Sequence, residues 1–514
     1  MTNPARAMQM LITYAVCIPL AIFVGYLLTD PLDYGTMGLF GLIALVLASP
    51  LFIRYHYPFL IFGLGCPATC FFLVGKPPLA QVVVLLSLGI AVIERTLNTE
   101  KRFISVPSMT WPLLYTAAMA LFTAEMTGGI GLHALGGDTG GGKKYIGLFI
   151  GVATFFALIS RPIPKEKRGL YLALFMLPGA LGVIGDLFPF LPSPLNYINL
   201  IFPPSQQVMA DNVAIGVTRF SSMGGAAGAF AIYLIAKHSI RGILRADKPF
   251  RALLVMVLLT LTMLGGFRTV LIGVVMTLTM LFFLEGLYRT RLMLVVIFGL
   301  VIGGALLVPF SDKLPYTFQR AMSFIPGLKF DPQVIADAQG SRQWREDMWR
   351  DLWPKVPQYL LLGKGYALSR EDFEYMGGGN FEGLGVGLDA SQQGLAIAGD
   401  YHSGPLSTLM PFGIWGAISY LWVALASLFI TYRNFKYCDP QVKPFNAFLF
   451  VFTVQSIIGF LLLVGAYSEA IGGFAKTVGF SIALNWGICG PQTAPTPVPS
   501  VKPLPQPRAR LLPA

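Results

Sequence analysis

The chain has 514 residues, of which 55% are hydrophobic and only 12% are charged. An ordinary soluble domain carries about 25% charged residues, so this composition excludes that class. Apolar runs of about 17 to 25 residues recur along the whole sequence, and each is long enough to cross a bilayer as a helix. Because the runs are continuous rather than alternating, they predict helices and not a barrel. The expected fold is an all-α polytopic integral membrane protein.

In chain order, the apolar runs predict about 12 to 14 membrane-spanning helices. They lie near residues 9–29, 35–53, 58–75, 79–94, 109–126, 145–160, 169–189, 221–237, 252–267, 269–286, 292–309, 405–432, 445–466 and 470–487. The third, fourth and sixth of these runs are short or rich in glycine and proline. None of the runs contains an obvious internal repeat, and we identify no charge near the middle of a span.

Lysine and arginine are concentrated in the short loops, which predicts that these loops face the cytoplasm. The basic loops are residues 95–102, 161–168, 240–251, 288–291 and 433–443. An even number of predicted spans separates each loop from the next, and the same count places both termini in the cytoplasm. Much of the +12 net charge lies in these loops, which face anionic lipid. No nucleic acid partner is therefore expected.

The span count also predicts five regions, one of which is a large loop on the periplasmic side. A loop of this length in a compact membrane protein is typical of a functional segment. The regions are an N-terminal transmembrane bundle (1–249), transmembrane helices with a periplasmic arginine turn (250–309), the large periplasmic loop (310–404), C-terminal transmembrane helices (405–490) and a proline-rich disordered cytoplasmic tail (491–514).

Within the large loop, "GSRQWREDMWRDLWPKVP" at residues 340–357 predicts an amphipathic helix. At 100° per residue one side carries both arginines and tryptophans. Those residues are Arg342, Arg345, Glu346, Trp349 and Trp353. The helix could lie in the headgroup layer with solvated arginines, or its arginines could bind a phosphorylated ligand at the membrane surface. The two interpretations are compatible.

Two further residues lie at span ends on the same predicted face. Arg268, in "TMLGGFRTVLIG", interrupts two apolar runs that almost no loop joins, and His402, in "DYHSGPLSTLMPFGIWG", opens a span. An arginine at a span end either extends to the headgroups or has an anionic partner. A histidine there either anchors the helix or takes part in chemistry. The common face of Arg268, His402 and the 340–357 helix favours a functional site.

These elements, with "YLLLGKGYA" at residues 359–367 and the spacing of Leu406, Leu409, Gly413 and Gly416 after the histidine, resemble the bacterial O-antigen ligase and O-antigen polymerase family. The resemblance covers about residues 250–435. Its members are polytopic proteins of the bacterial inner membrane. Ser403 follows the histidine where the family usually has asparagine, and Pro411 stands where it often has glutamate.

The resemblance implies a membrane glycosyltransferase that moves a glycan from undecaprenyl diphosphate to an acceptor hydroxyl at the periplasmic face. The acceptor would be lipid A core in a ligase and another glycan in a polymerase. The family's phosphate-binding arginines correspond to Arg268 and to Arg342 or Arg345, and its loop histidine to His402. The chemistry fits these residue types, since arginines stabilise a leaving diphosphate and histidine is suited to act as a base at neutral pH.

No cofactor and no metal are expected for this reaction, although Glu346, Asp347 and Asp400 are carboxylates that a divalent ion could use. The alternative function is a transporter or flippase of a lipid-linked glycan or another anion. A transporter typically has internal repeats and ionisable groups near the bilayer midplane. Because we identify neither, and the candidate charges lie at one face, the sequence favours surface chemistry.

Overall fold

We describe the fold from a computed structural model of the chain. The structure describes residues 4–27, 29, 33–129, 141–187, 190, 192, 195, 197–205, 219–245, 247–368, 397 and 399–491. The predicted proline-rich tail, from residue 492 onward, and residues 369–396 of the large loop lie outside the described residues.

The described residues form helices, with one isolated β-bridge between Thr69 and Pro78. The longer helices are α1 (Pro4–Leu27), α2 (Tyr34–Gly63), α3 (Leu79–Leu97), α4 (Pro107–Thr127), α5 (Gly142–Leu158), α6 (Arg168–Met176), α7 (Ser221–Ile243), α8 (Pro249–Leu261), α9 (Arg268–Leu284), α10 (Leu292–Phe310), α11 (Tyr316–Met322), α12 (Pro332–Leu352), α13 (Gly404–Tyr437), α14 (Lys443–Leu462) and α15 (Tyr467–Asn485). Short 3-10 and α-helical turns extend α6 to Asp186.

Five helical segments of the described chain are long and apolar enough to cross a membrane, and a sixth is added if a helix pair bent by 51° counts as one span. The five are Leu79–Leu97, Lys165–Asp186, Leu292–Lys313, Gly404–Tyr437 and Pro440–Leu462. Shorter apolar helices, such as Pro249–Gly265 and Arg268–Leu284, lie beside them. The predicted all-α polytopic membrane fold is confirmed.

One predicted span, at residues 58–75, has no helix of its own. Its first residues complete α2, which continues through a kink at Tyr55 to Gly63. The segment that follows contains Gly65, Pro67 and a left-handed Gly75, which do not favour a helix. Three helices therefore precede the basic loop 95–102, where the sequence predicts four spans. The counting argument for a cytoplasmic N-terminus requires an even number, so it fails. The number of predicted spans between each later pair of basic loops remains even.

The core of the bundle lies between α4, α5, α13 and α15, and close helix packing builds it. A Cβ atom on Gly151 of α5 would lie 3.1 Å from the Cα atom of Gly472 of α15, so the two backbones are nearly in contact. Small residues at such positions are typical of packed membrane helices. The hydroxyl of Tyr467 donates to Ser419 Oγ at 2.7 Å, which also joins α15 to α13. By contrast, no residue of α10 is buried, so this helix faces lipid.

Lys476, near the middle of α15, shows that the expectation of uncharged span centres is wrong. Its ammonium group donates to the carbonyl oxygen of Leu64 at 2.8 Å and lies 5.2 Å from the centre of the Phe175 ring. The carbonyl at the end of α2 and the aromatic face compensate for the loss of water around the charge. Both partners belong to the helix bundle, so the contacts of Lys476 are structural.

The segment 359–366 is bound to a kink in α13. Gly413 has φ +59° and ψ −148°, a conformation open essentially to glycine alone. Around this kink, Lys364 N donates to Met410 O at 2.7 Å and Ile414 N donates to Leu360 O at 2.8 Å. A Cβ atom on Gly413 would lie 2.3 Å from the carbonyl oxygen of Leu360. Glycine at this position therefore permits both the kink and the contact.

We predict that Gly413→Ala strongly destabilises the protein. The backbone conformation alone costs alanine roughly 1–3 kcal/mol, and the new methyl group overlaps Leu360. The apparent melting temperature in detergent should fall clearly below that of the wild type. Gly473→Ala is the matched control, because a Cβ atom there meets nothing within 4 Å and alanine favours a helix. A melting temperature for Gly413→Ala equal to that of Gly473→Ala would contradict this prediction.

Candidate functional site

The turn between α8 and α9 is held by two arginines from other parts of the chain. Gly266 occupies the left-handed region at φ +64°, which glycine adopts without strain. Arg219 donates from Nε and Nη2 to the carbonyl oxygen of Gly265, at 3.3 and 3.1 Å. Arg320 donates from Nη1 to the carbonyl oxygen of Gly266 at 3.0 Å. These bonds satisfy consecutive backbone acceptors and fix the direction in which α9 begins at Arg268.

The same Arg320 connects this turn to α12 through Asp337. Its Nε donates to Asp337 Oδ2, and the hydroxyl of Tyr316 donates to the same oxygen at 3.0 Å. Burial alone would raise the pKa of Asp337, but the bonds from Arg320 and Tyr316 and the charges of Arg320 and Arg219 hold that pKa below its usual value. Burial raises the pKa of Tyr316 to about 12, and the bond to Asp337 acts in the same direction. Asp337 is therefore ionised and Tyr316 neutral at neutral pH.

Helix α12 is the predicted amphipathic helix, and its existence is confirmed. It begins earlier than expected, where the Asp331 side chain accepts from Gln333 N and Pro332 takes the first helical position. It ends at Leu352, two residues before Pro354. Its buried residues are Val334, Ala338, Met348 and Leu352. This face packs against the protein, so α12 is not simply a helix floating in the headgroup layer.

Arg268 and Arg345 complete a group of four guanidinium groups around the turn. Arg268 Nη2 donates to the carbonyl oxygen of Ala338 in α12 at 3.2 Å. The positive charges of Arg320 and Arg345 act on Arg268. Burial lowers the pKa of Arg345, and repulsion from Arg320 lowers it further. We call Arg219, Arg268, Arg320 and Arg345 the arginine cluster.

The arginine cluster carries an excess of positive charge. One of these cations, Arg320, is bonded to the carboxylate of Asp337, and around Arg268 the positive charges of Arg320 and Arg345 outnumber that one carboxylate. Like charges in a partly buried site repel strongly because the local dielectric constant is low. An anionic ligand with several charges would relieve this repulsion. The cluster is thus complementary to a polyanion such as a diphosphate.

His402 lies just before α13, where two contacts hold its ring and a third holds the preceding residue. Its φ of +46° is unusual for a residue other than glycine. Its Nδ1 atom lies 3.4 Å from Asp400 Oδ1, and its ring centre lies 5.3 Å from that of Trp344 in α12. Trp349 Nε1 donates to the carbonyl oxygen of Tyr401 at 3.0 Å. Strained backbone of this kind persists where the surroundings hold it, and such positions cluster at functional sites.

Arg345 and His402 lie in the lining of one cleft, of about 550 Å³, between α9 and α14. Its other walls are mostly apolar and include Phe267, Ile272 and Phe452. A second cavity of about 300 Å³ shares Thr269, Gly273, Phe452 and Gln455 with the first, so the space continues along the same two helices. We call this space the α9–α14 cleft. It combines a charged mouth with an apolar interior.

A further cavity, of about 780 Å³, adjoins the second one and shares Val274 and Leu278 of α9 with it. It is lined by residues such as Leu271, Val274 and Leu278 of that helix, together with α7, α8 and α11, and no charged side chain contributes to it. Size alone therefore does not identify the functional site. Among the cavities of the described residues, the α9–α14 cleft is distinguished by Arg345 and His402 in its lining.

The predicted site residues fall into two groups. Arg345 and His402 share the α9–α14 cleft, and Arg268 lies in the arginine cluster beside it. Arg342 is on the outer side of α12, where its side chain is 75% exposed and its Nε donates to Glu346 Oε1 at 2.6 Å. Sequence reasoning missed Arg219, Arg320 and Asp337. No local pattern identifies them, because each acts on a residue far away in sequence.

We predict that Arg345→Ala weakens the binding of inorganic diphosphate to the purified protein by about tenfold or more, since a charge-assisted hydrogen bond contributes about 1.5–3 kcal/mol. Arg342→Ala is the matched control, one helical turn away on the same helix. It should bind within about twofold of the wild type, because exposed, paired charges contribute little. Titration calorimetry at low salt measures both. Equal losses in the two variants would contradict the assignment of Arg345 to the cleft.

A family model described as O-Antigen ligase matches residues 252–421 of the chain. The matched region contains the Arg268 turn, α12 and the start of α13 with His402, which are the elements that carry the resemblance in the sequence. No curated protein and no solved structure has significant similarity to the chain. The predicted family is confirmed by this match. The match over residues 252–421 supports the assignment of this region to the O-antigen ligase and polymerase family.

Proposed function

We propose that the protein transfers a glycan from undecaprenyl diphosphate to an acceptor hydroxyl at the periplasmic face of the bacterial inner membrane. The observation that carries this proposal is the α9–α14 cleft, in which Arg345 and His402 meet the apolar walls of two membrane helices. A lipid diphosphate has both an anionic headgroup and an apolar chain, and it needs a site with both characters at headgroup depth. The family match supports the same class of reaction.

The donor would bind with its diphosphate against the arginines and its prenyl chain in the apolar part of the cleft. Arg345 lies at the mouth of the cleft, and Arg268 lies in the adjoining cluster. The planar guanidinium group can donate two parallel hydrogen bonds to phosphate oxygens. Arg342 is exposed and paired with Glu346, so its role would be at the outer edge, where it would meet the headgroup as the lipid enters.

In the proposed reaction, the acceptor oxygen attacks the anomeric carbon of the donor sugar. The bond between that carbon and the diphosphate oxygen breaks, and prenyl diphosphate leaves with one additional negative charge. The arginines stabilise this charge as it develops. The proton of the acceptor hydroxyl passes to the imidazole of His402, which acts as the general base. One bond forms, one bond breaks and the proton is accepted by His402, so the step is complete without a metal or a cofactor. We propose neither.

Asp400 acts in this scheme as a positioning residue for the base. Its carboxylate lies 3.4 Å from Nδ1 of His402, so the other ring nitrogen, Nε2, is the one free to take the proton. The carboxylate also stabilises the imidazolium that forms. The ring of Trp344 limits the rotation of the imidazole from a second side.

The acceptor would be lipid A core for a ligase or a second lipid-linked glycan for a polymerase. It approaches from the side of the large loop, residues 310–404, since this segment carries His402, Arg320 and Arg345 and contacts Arg268 through Ala338. The even number of helices between successive basic loops supports a cytoplasmic location for the C-terminus, opposite the site.

We predict that His402→Ala lowers the rate of glycan transfer by about 100-fold or more, because loss of a general base typically costs 10²–10⁴ in rate. The assay incubates purified protein in nanodiscs with a prenyl diphosphate-linked oligosaccharide and an acceptor, without ATP. It measures released prenyl diphosphate and glycosylated product together. His238→Ala is the matched control, since His238 lies in α7, among basic residues at the other end of the bundle.

A second variant tests the role of Asp400 in the same assay. Asp400→Asn removes the charge beside His402 and should lower kcat while KM for the donor stays close to the wild-type value, because Asp400 does not contact the donor. Two results would contradict the proposal. One is a His402→Ala protein that is folded and transfers glycan at the wild-type rate. The other is movement of the lipid-linked glycan across the bilayer without release of prenyl diphosphate, which would establish the transporter instead.

A further inference from the structure

A second charged cleft lies at the opposite end of the bundle, between the ends of α3 and α5. It has a volume of about 380 Å³ and is lined by Glu94, Arg95, Lys101, Arg102, Phe103 and Arg161. The segment between α3 and α4 is tied to the end of α5, since Ile104 N donates to Ile159 O at 3.0 Å. The cleft is thus formed by main chain that is fixed on both sides, and we call it the basic cleft.

The charges of the basic cleft do not balance. Glu94 accepts from Arg161 and pairs with Lys101 at 3.3 Å, so one carboxylate is shared by two cations. Arg95 and Arg102 have no carboxylate partner among the described residues, and the guanidinium group of Arg95 lies 5.5 Å from the centre of the Phe103 ring. Four cations and one anion leave a net charge of +3. Repulsion among them would be relieved by an anion bound in the cavity.

The surroundings of the basic cleft indicate what kind of anion fits. The last two turns of α3 expose Ile93 and Leu97, at 60% and 83%, and α4 exposes Trp111 at 62%. Exposed aliphatic residues at a membrane helix end face acyl chains, and tryptophan is enriched at the same depth. A soluble anion would use the cations but not this apolar surface. A ligand with a phosphate group and acyl chains would use both.

We propose that the basic cleft binds the phosphodiester headgroup of an anionic phospholipid of the inner leaflet. Basic pockets between membrane helices on the cytoplasmic side are suited to such headgroups. Arg95 and Arg102 bind the phosphate, and Lys101 and Arg161 hold Glu94 and so maintain the shape of the cavity. The acyl chains lie along the exposed face of α3. This site is independent of the proposed transfer reaction and lies at the other end of the membrane helices.

The test uses the full-length protein in detergent with phosphatidylglycerol as the probe and phosphatidylcholine as the uncharged reference. Native mass spectrometry counts bound lipid. Arg95→Gln with Arg102→Gln should weaken phosphatidylglycerol binding by about 30-fold, from about 1 kcal/mol for each basic residue near the membrane surface. The matched control is Arg289→Gln with Arg291→Gln, which removes the same charge from a loop on the same predicted face but outside the cleft. This control should bind as the wild type does.

Two further experiments, a lysine pair and a competition with inorganic phosphate, distinguish the possible causes of a loss of binding. Arg95→Lys with Arg102→Lys should retain most of the binding, and its melting temperature without lipid should equal that of the wild type. Excess inorganic phosphate should not displace the lipid, since it lacks acyl chains. The proposal is overturned if both glutamine pairs lose binding equally, if the cleft pair binds as the wild type does, if phosphatidylcholine binds as tightly as phosphatidylglycerol, or if phosphate displaces the lipid.

Discussion

The site depends on two carbonyl groups at one turn. Gly265 and Gly266 accept hydrogen bonds from Arg219 and Arg320, and these bonds determine where α9 begins. Arg320 also holds Asp337, so the same side chain fixes the turn and α12 relative to each other. The contacts between α12 and the segment before α13 then orient His402. Removing Arg320 would leave Asp337 partly buried without its cation, a change that is usually strongly destabilising.

Both charged clefts of the protein combine the same two features at a membrane boundary. Each is lined by more cations than carboxylates, and each adjoins apolar surface. Such an arrangement is costly when empty and favourable when an anionic lipid occupies it, because the ligand supplies the missing charge and covers the apolar surface. They differ in one respect that matters for chemistry. The α9–α14 cleft contains a histidine beside a carboxylate, whereas the carboxylate that lines the basic cleft, Glu94, is paired with Arg161 and Lys101.

The sequence predicts the parts of this protein that depend on local periodicity. Apolar runs predict the membrane helices, and the 100° periodicity around Trp349 predicts α12. It does not predict that residues 58–75 lack a helix of their own, since glycines and prolines there interrupt an otherwise apolar run. Lys476 is visible in the sequence, but the stabilisation of its charge by a distant carbonyl and an aromatic ring is not. A count of lysines and arginines in the loops also does not show which residues they contact in the folded protein.

The candidate site shows the same limit. Arg268 and His402 are predicted because each stands out against an apolar span. Arg219, Arg320 and Asp337 do not stand out, and their contacts join residues that are 46, 54 and 17 positions apart. The choice between Arg342 and Arg345 also requires the structure. Both are on the predicted polar side of α12, yet only Arg345 reaches the cleft among the described contacts.

The most direct test of this account is to locate the donor's diphosphate. Electron cryomicroscopy of the protein in nanodiscs with a prenyl diphosphate would show where its headgroup binds. We expect density for the diphosphate between Arg268 and Arg345, near His402, with the prenyl chain between α9 and α14. Density for the chain in the apolar cavity that α7, α8 and α11 line, with the diphosphate away from both arginines, would contradict the account.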